Sequence, residues 1–213
     1  MEYFALAWDI AVHLDKHLAV LLAQYGTWVY AILFLIVFAE TGFVVTPFLP
    51  GDSLLFVAGA LCGAGGMDPW LLNGTLIAAA VLGNSVNYAI GRYLGPKVFH
   101  WEGSRFFNKA ALMKTHLFYE RHGGKTLVIT RFIPILRTFA PFVAGIGAMT
   151  YVRFQAFNVS GALLWVGSLS MAGYFFGNLP IVQNNLSLVI LGIIVLSMLP
   201  AAIGYLQHLR ARH

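Results

Sequence analysis

Apolar residues run in long blocks along this chain. The blocks at 18–39, 70–91, 154–177 and 186–206 each have about 20 residues, the length that carries a helix across roughly 30 Å of hydrocarbon. Four transmembrane helices are expected from them. Two further apolar stretches are interrupted by helix breakers. Gly42-Phe-Val-Val-Thr-Pro-Phe-Leu-Pro-Gly51 contains Pro47 and Pro50, and Arg131-Phe-Ile-Pro-Ile-Leu-Arg-Thr-Phe-Ala-Pro141 contains Pro134 and Pro141. Proline removes a backbone donor and clashes with the preceding turn, so neither stretch runs straight through a bilayer as one ordinary helix. Such backbone is tolerated at membrane depth only where protein buries it or a wet cavity lines it. Both stretches are expected to form re-entrant hairpins, over 41–65 and 125–149.

The two hairpins belong to an internal repeat. Phe56-Val-Ala-Gly59 recurs as Phe142-Val-Ala-Gly145, and Tyr88-Ala-Ile-Gly91 recurs at the same offset as Tyr174-Phe-Phe-Gly177. In each copy a broken hairpin precedes a spanning helix, so each copy crosses the membrane once net and the second must be inverted relative to the first. The pattern predicts an all-α integral membrane protein, residues 1–213 forming a single membrane domain. Repeat one covers about 18–95 and repeat two about 125–178, with the two hairpins facing each other. A cytoplasmic amphipathic segment, 96–124, joins the repeats, and 186–206 is the final transmembrane helix. Inverted repeats with broken helices meeting near the midplane are a plan used by secondary transporters.

Charge orients this plan. Seven of the thirteen Lys and Arg lie from Arg92 to Lys125, whereas Gly63–Trp70 and Asn178–Asn185 have none. By the positive-inside rule the basic segment and the tail with Arg210 and Arg212 are cytoplasmic. The composition, 59% hydrophobic and 10% charged, with a mean hydropathy of +0.77, suits a membrane protein. The net charge of +5 therefore points to anionic lipid head groups and not to nucleic acid. The acidic N-terminus resembles a short interfacial helix more than a cleaved signal peptide. The single Cys62 excludes an intrachain disulfide. His13 and His17 have metal-ligand spacing but no evident third ligand, so no metal and no cofactor are expected. None of the seven His lies in either hairpin, which argues against a hydrolytic enzyme.

Four charges remain inside the broken stretches or beside them: Glu40, Asp52, Arg131 and Arg137. A charge in hydrocarbon costs about 2.5–3.5 kcal/mol on insertion scales, so such residues usually mark a pathway and neutralise one another. Arg137 lies about 18 Å along a helical path from Lys125, too deep to reach the interface easily. Two guanidinium groups offer bidentate recognition of phosphate. Asp52 and its repeat counterpart Thr138 follow the breaking residues and are expected to cap the next helix. Their helix N-termini would then supply anion-binding dipole ends. A carboxylate moved between low dielectric and the neighbourhood of an arginine can take up and release a proton, so Glu40 and Asp52 are candidates for proton coupling. Asn84, Asn87 and Asn158 are expected to join helices by hydrogen bonds, and Asn158, which closely follows the second broken stretch, is also a candidate for contact with substrate.

Several of these residues resemble the DedA family of bacterial inner-membrane proteins. They are Glu40-x11-Asp52 with Phe48-Leu-Pro-Gly-Asp52, Arg131-Phe-Ile-Pro-x2-Arg137, Ala144-Gly-x3-Met149 and Phe157-Asn-x2-Gly161-x3-Trp165. The resemblance implies two facing re-entrant hairpins and kinship with eukaryotic lipid scramblases. It also implies recycling of undecaprenyl phosphate in dependence on the proton motive force. The family's functional acids fall on Glu40 and Asp52 and its functional arginines on Arg131 and Arg137. The expected function is proton-dependent movement of a phosphate-bearing lipid from the outer to the inner leaflet. Arg131, Arg137 and Thr138 would hold the substrate, and Glu40 and Asp52 would couple protons. The alternatives are a proton-coupled antiporter for a small cation or drug, and a less specific phospholipid scramblase. Oligomeric state is left open between monomer and homo-oligomer.

Overall fold

The computed structural model describes residues 14–43, 51–98, 124–147, 149–185, 188–193 and 195. Every regular element among them is helical. In chain order these are α1 (Leu14–Tyr25), α2 (Trp28–Gly42), α3 (Gly51–Gly63), α4 (Pro69–Val98), α5 (Lys125–Ile129), a 3₁₀ turn (Thr130–Phe132), α6 (Pro134–Ile146), α7 (Tyr151–Phe176) and α8 (Pro180–Asn184). Residues 188–193 are helical again. Two helices, over Pro69–Leu94 and Tyr151–Phe176, are long and apolar enough to cross a membrane. They match the expected spans at 70–91 and 154–177.

The expected span at 18–39 is instead divided. Gly26 has φ +52°, a left-handed conformation that costs glycine nothing, and its N–H donates to Leu22 O at 2.9 Å. That bond closes α1 in the usual manner of a glycine helix terminus. Hydropathy depends on composition, so it passes over a single residue that reverses the backbone. The final span at 186–206 lies largely outside the described residues, as do the tip of the first hairpin (44–50), the amphipathic segment after Val98 and the N-terminal interfacial stretch.

The second broken stretch is interrupted at Pro134, one of the expected breakers, but its helix starts earlier than expected. Ile133 is extended, with φ −119° and ψ 107°, as the residue before a proline prefers. Pro134 then opens α6, where its missing N–H costs least. The start of α6 therefore comes four residues earlier than Thr138, and this corrects the capping role expected of Thr138. Thr138 lies in the second turn of α6, and Pro141 is inside the helix, unable to donate to the carbonyl of Arg137. Asp52 is likewise the second residue of α3, in the first turn and not at the cap.

The chain divides into two compact units. One comprises Met1–Leu35, Phe48–Leu76 and Trp165–His213, the other Ile36–Pro47 and Ile77–Leu164. In the first unit α3 is buried without interruption from Gly51 to Ala60, and it packs on the end of α7. A Cβ added at Gly59 would lie 2.1 Å from Ser170 O, and one at Gly173 would lie 1.9 Å from Phe56 O. In the second unit α6 packs on the end of α4 in the same manner. A Cβ at Gly145 would lie 2.2 Å from Tyr88 O, and one at Gly91 would lie 2.1 Å from Phe142 O. The repeated glycines are thus the points where helix backbones meet, the small-residue packing that membrane helices favour. Tyr88, Leu127, Ala140, Ala144 and Phe154 form the core of this unit, with Tyr88 and Phe154 stacked at 4.3 Å.

Candidate functional site

The second unit gathers three of the four predicted charges. Glu40, in the last turn of α2, and Arg137, in the first turns of α6, form an ion pair through Oε1 and Nη2. Both side chains are buried, with 0% and 2% of their surface exposed. Opposite charges at that depth attract strongly, but each has also lost its hydration. Removing one partner of such a pair costs about 3–5 kcal/mol, because the other is left uncompensated.

Asn87 of α4 fixes the approach of these two segments. Its side-chain N–H groups donate to Thr41 O at 3.1 Å and to Thr138 O at 2.7 Å, the carbonyls directly after Glu40 and Arg137. The amide therefore holds both charge-bearing backbones while touching neither charge. Gly83, one turn earlier, makes the approach sterically feasible: a Cβ there would come within 2.0 Å of Thr41 Oγ1. The hydroxyl of Thr41 bonds in turn to Val37 O at 2.8 Å within α2.

Arg131 is held differently. It sits in the 3₁₀ turn between α5 and α6, a short tight element of the kind that often marks a hinge. Its side chain is 1% exposed. Nη2 donates to Asn158 O at 3.1 Å and to Asn158 Oδ1, whereas Nε and Nη1 have no hydrogen-bond partner. No carboxylate faces this guanidinium among the described residues. Gly161 provides room for it, since a Cβ there would lie 3.0 Å from Arg131 Cδ and Nε. Asn158 is the hub of the cluster. Its Nδ2 reaches Val81 O at 3.0 Å and Gln155 Oε1 at 2.9 Å, and its Oδ1 also accepts from Asn84 at 3.2 Å. Gln155 continues the polar series to Ser85 at 2.7 Å and to the exposed Tyr151 hydroxyl at 2.6 Å.

Asp52 belongs to the first unit. Its Oδ1 accepts from Trp165 Nε1 at 2.9 Å, with both residues buried. An indole N–H is a donor only, so it suits a carboxylate oxygen and fixes that side chain's position. Trp165 had drawn attention only as part of a family pattern. The signal that could have singled it out is a residue needing a hydrogen-bond acceptor within an apolar helix.

The sequence of this chain is matched by a protein family. A model of the VTT domain matches residues 49–175. The chain is 56% identical over 211 residues to Protein DedA of Escherichia coli K12, covering 98% of this chain and 95% of that protein. It is also 35% identical to Inner membrane protein YghB of the same strain, with coverage of 86% and 82%. Identity to Inner membrane protein YqjA is 38%, with coverage of 71% and 69%. The chain belongs to the DedA family. No solved structure matches it. Asn87 and Asn84, which sequence reasoning regarded as general helix-to-helix bonds, acquire specific roles around two of the arginines.

Proposed function

We propose that this DedA-family protein is a proton-dependent transporter of a phosphate-bearing lipid in the bacterial inner membrane. The substrate is undecaprenyl phosphate, moved from the outer to the inner leaflet for reuse. The observation that carries the reading is Arg131: a buried guanidinium whose Nε and Nη1 have no hydrogen-bond partner and which faces no acid among the described residues. Leaving such donors unsatisfied costs several kcal/mol unless a ligand periodically supplies acceptors. Phosphate oxygens are natural acceptors for guanidinium N–H groups.

Arg137 takes a second part in the proposed cycle. Paired with Glu40, it is neutral as a unit. When Glu40 takes up a proton, Arg137 is released to share the head-group charge; when the proton leaves, the pair re-forms and the lipid departs. Asp52 serves as a second proton carrier, with Trp165 holding its carboxylate in place. Thr138 contributes through its backbone position next to Arg137. The head group enters as the 3₁₀ turn bearing Arg131 moves, and the isoprenoid tail stays in lipid. Cation antiport is the weaker reading because Glu40 already holds a guanidinium in place of any exchangeable cation.

Reconstitution tests this reading. Proteoliposomes loaded with a fluorescent polyprenyl phosphate should show protein-dependent flipping that slows when the proton gradient is collapsed. Arg131→Ala should reduce flipping to the protein-free rate. Unchanged flipping by that variant removes the phosphate site. The orientation is checked with cysteines in a Cys62→Ala background. Ala64→Cys, at an exposed position, should react with an impermeant thiol reagent from outside, and Ser104→Cys should not. The opposite pattern reverses the direction of transport.

A further inference from the structure

We propose that the first unit carries a binding site for an organic ammonium ion, in the open cavity where α1, α3 and α7 end and α4 begins. None of the four charges of the proposed transport cycle lines it. The cavity has a volume of about 680 Å³, within the range of about 300–1,000 Å³ that small-molecule sites occupy. Its wall holds one formal charge, the carboxylate of Asp68, and among the described residues no Lys, Arg or His.

Helix ends add to that charge. α1 brings Leu22 and the terminating Gly26 to the wall, α3 brings Cys62 and the turn residue Gly65, and α7 brings Tyr174 from its last turn. Each C-terminal end carries about half a unit of negative charge, on carbonyls that lack a full set of helical partners. Two helices also begin here, α2 just after Thr27 and α4 at Pro69, and their positive ends oppose the effect. Both are already supplied with acceptors. The Gly26 and Thr27 carbonyls accept from the N–H groups of Val29 and Tyr30 at 3.2 and 3.3 Å, and Asp68 Oδ1 accepts from Leu71 N–H at 2.7 Å. An N–H has one hydrogen to give, whereas a carbonyl or carboxylate oxygen keeps a further lone pair. The remaining capacity of the wall is therefore for accepting hydrogen bonds and holding positive charge.

The aromatic residues fit the same ligand. Tyr30 and Tyr174 both line the cavity, and the face of a phenol ring attracts a cation. The Tyr30 hydroxyl is fixed beside Asp68, because it accepts from the Asp68 N–H at 2.8 Å. An ammonium ion thus meets a carboxylate, a phenol oxygen and ring faces in one space, a set that repels an anion. Trp28 and Trp70 are exposed next to the lining residues Thr27 and Pro69, and tryptophans of this kind settle at the head-group level of a membrane. At that level both the ammonium of a lipid and a dissolved amine have access to the cavity.

The test is calorimetric titration of the full chain in nanodiscs at about pH 7, where an alkylamine is charged, with the heat of empty nanodiscs subtracted. Octylammonium should bind saturably, and N-octylacetamide, which keeps the tail and loses the charge, at least about tenfold more weakly. Asp68→Asn should weaken octylammonium binding about fivefold or more. Asn caps a helix as well as Asp does, so this variant keeps the start of α4 and the loss reports the charge. Asp68→Ser, another good cap, should behave the same way. Ethylammonium distinguishes the two sources: an affinity within about thirtyfold of that of octylammonium assigns the site to a dissolved amine, and a larger gap assigns it to a lipid ammonium. Equal binding of octylammonium and N-octylacetamide by wild type overturns the proposal, as does an unchanged octylammonium affinity in both Asp68 variants.

Discussion

The regions around Glu40 and Asp52 hold their buried carboxylates in opposite ways. Glu40 faces a cation, Arg137, and the segments carrying the two charges are held together by Asn87. Asp52 accepts a hydrogen bond from a neutral indole, Trp165. Protonating Glu40 would remove the negative charge that faces Arg137, whereas the indole that faces Asp52 carries no charge. In the proposed cycle the first arrangement lets a proton control the availability of a positive charge. The second positions a carboxylate through a neutral donor. Two acids that look equivalent in a hydropathy plot are therefore suited to different tasks.

The largest expected effect breaks the ion pair. Glu40→Ala should destabilise the protein by about 3–5 kcal/mol, and adding Arg137→Met should restore most of that loss without restoring transport. Unfolding in mixed detergent measures both, and an unrecovered double variant would show that the two charges are not energetically coupled. Next is the indole. Trp165→Phe removes the donor to Asp52 and should cost about 1–3 kcal/mol, to be read from the same unfolding midpoint. Stability within experimental error of wild type would mean that the bond does not hold Asp52.

Asp52→Asn sharpens the contrast further, because an amide oxygen still accepts from Trp165. The stability change should stay below about 1 kcal/mol while flipping in proteoliposomes is lost. Retained flipping would reduce Asp52 to a structural residue and leave Glu40 as the proton carrier. The smallest structural effect is expected at Arg131. Arg131→Met removes a buried charge that faces no acid among the described residues, so stability should change by less than about 1 kcal/mol or improve. Flipping should nevertheless fall to background. A loss of stability like that of Glu40→Ala would show that Arg131 is a structural cation.

Much of the fold was legible because hydropathy and proline act locally. The spans that became α4 and α7 needed only length and apolar composition, and the break before α6 needed only Pro134. The division at Gly26 was missed because a positive φ depends on how the chain closes α1 and begins α2. Thr138 was misplaced by one turn because the repeat was aligned through Asp52, while α6 starts where Pro134 permits. The glycines shared by the repeats were visible as a pattern, but their partners were not. Gly145 packs on Tyr88 and Gly59 on Ser170, contacts between distant parts of the chain that no local rule specifies.

The sequence by itself determined that this chain is a helical membrane protein of the DedA family with four charges in costly positions, because burial cost and helix breaking follow from residue type. Only the tertiary structure decided how those charges are satisfied. Whether an arginine is neutralised, as Arg137 is by Glu40, or left with unsatisfied nitrogens, as Arg131 is beside Asn158, depends on which side chains meet within hydrogen-bonding distance. Hydrogen bonds and desolvation act over a few ångströms. Glu40 and Arg137 are 97 positions apart along the chain, and only folding brings them to that range.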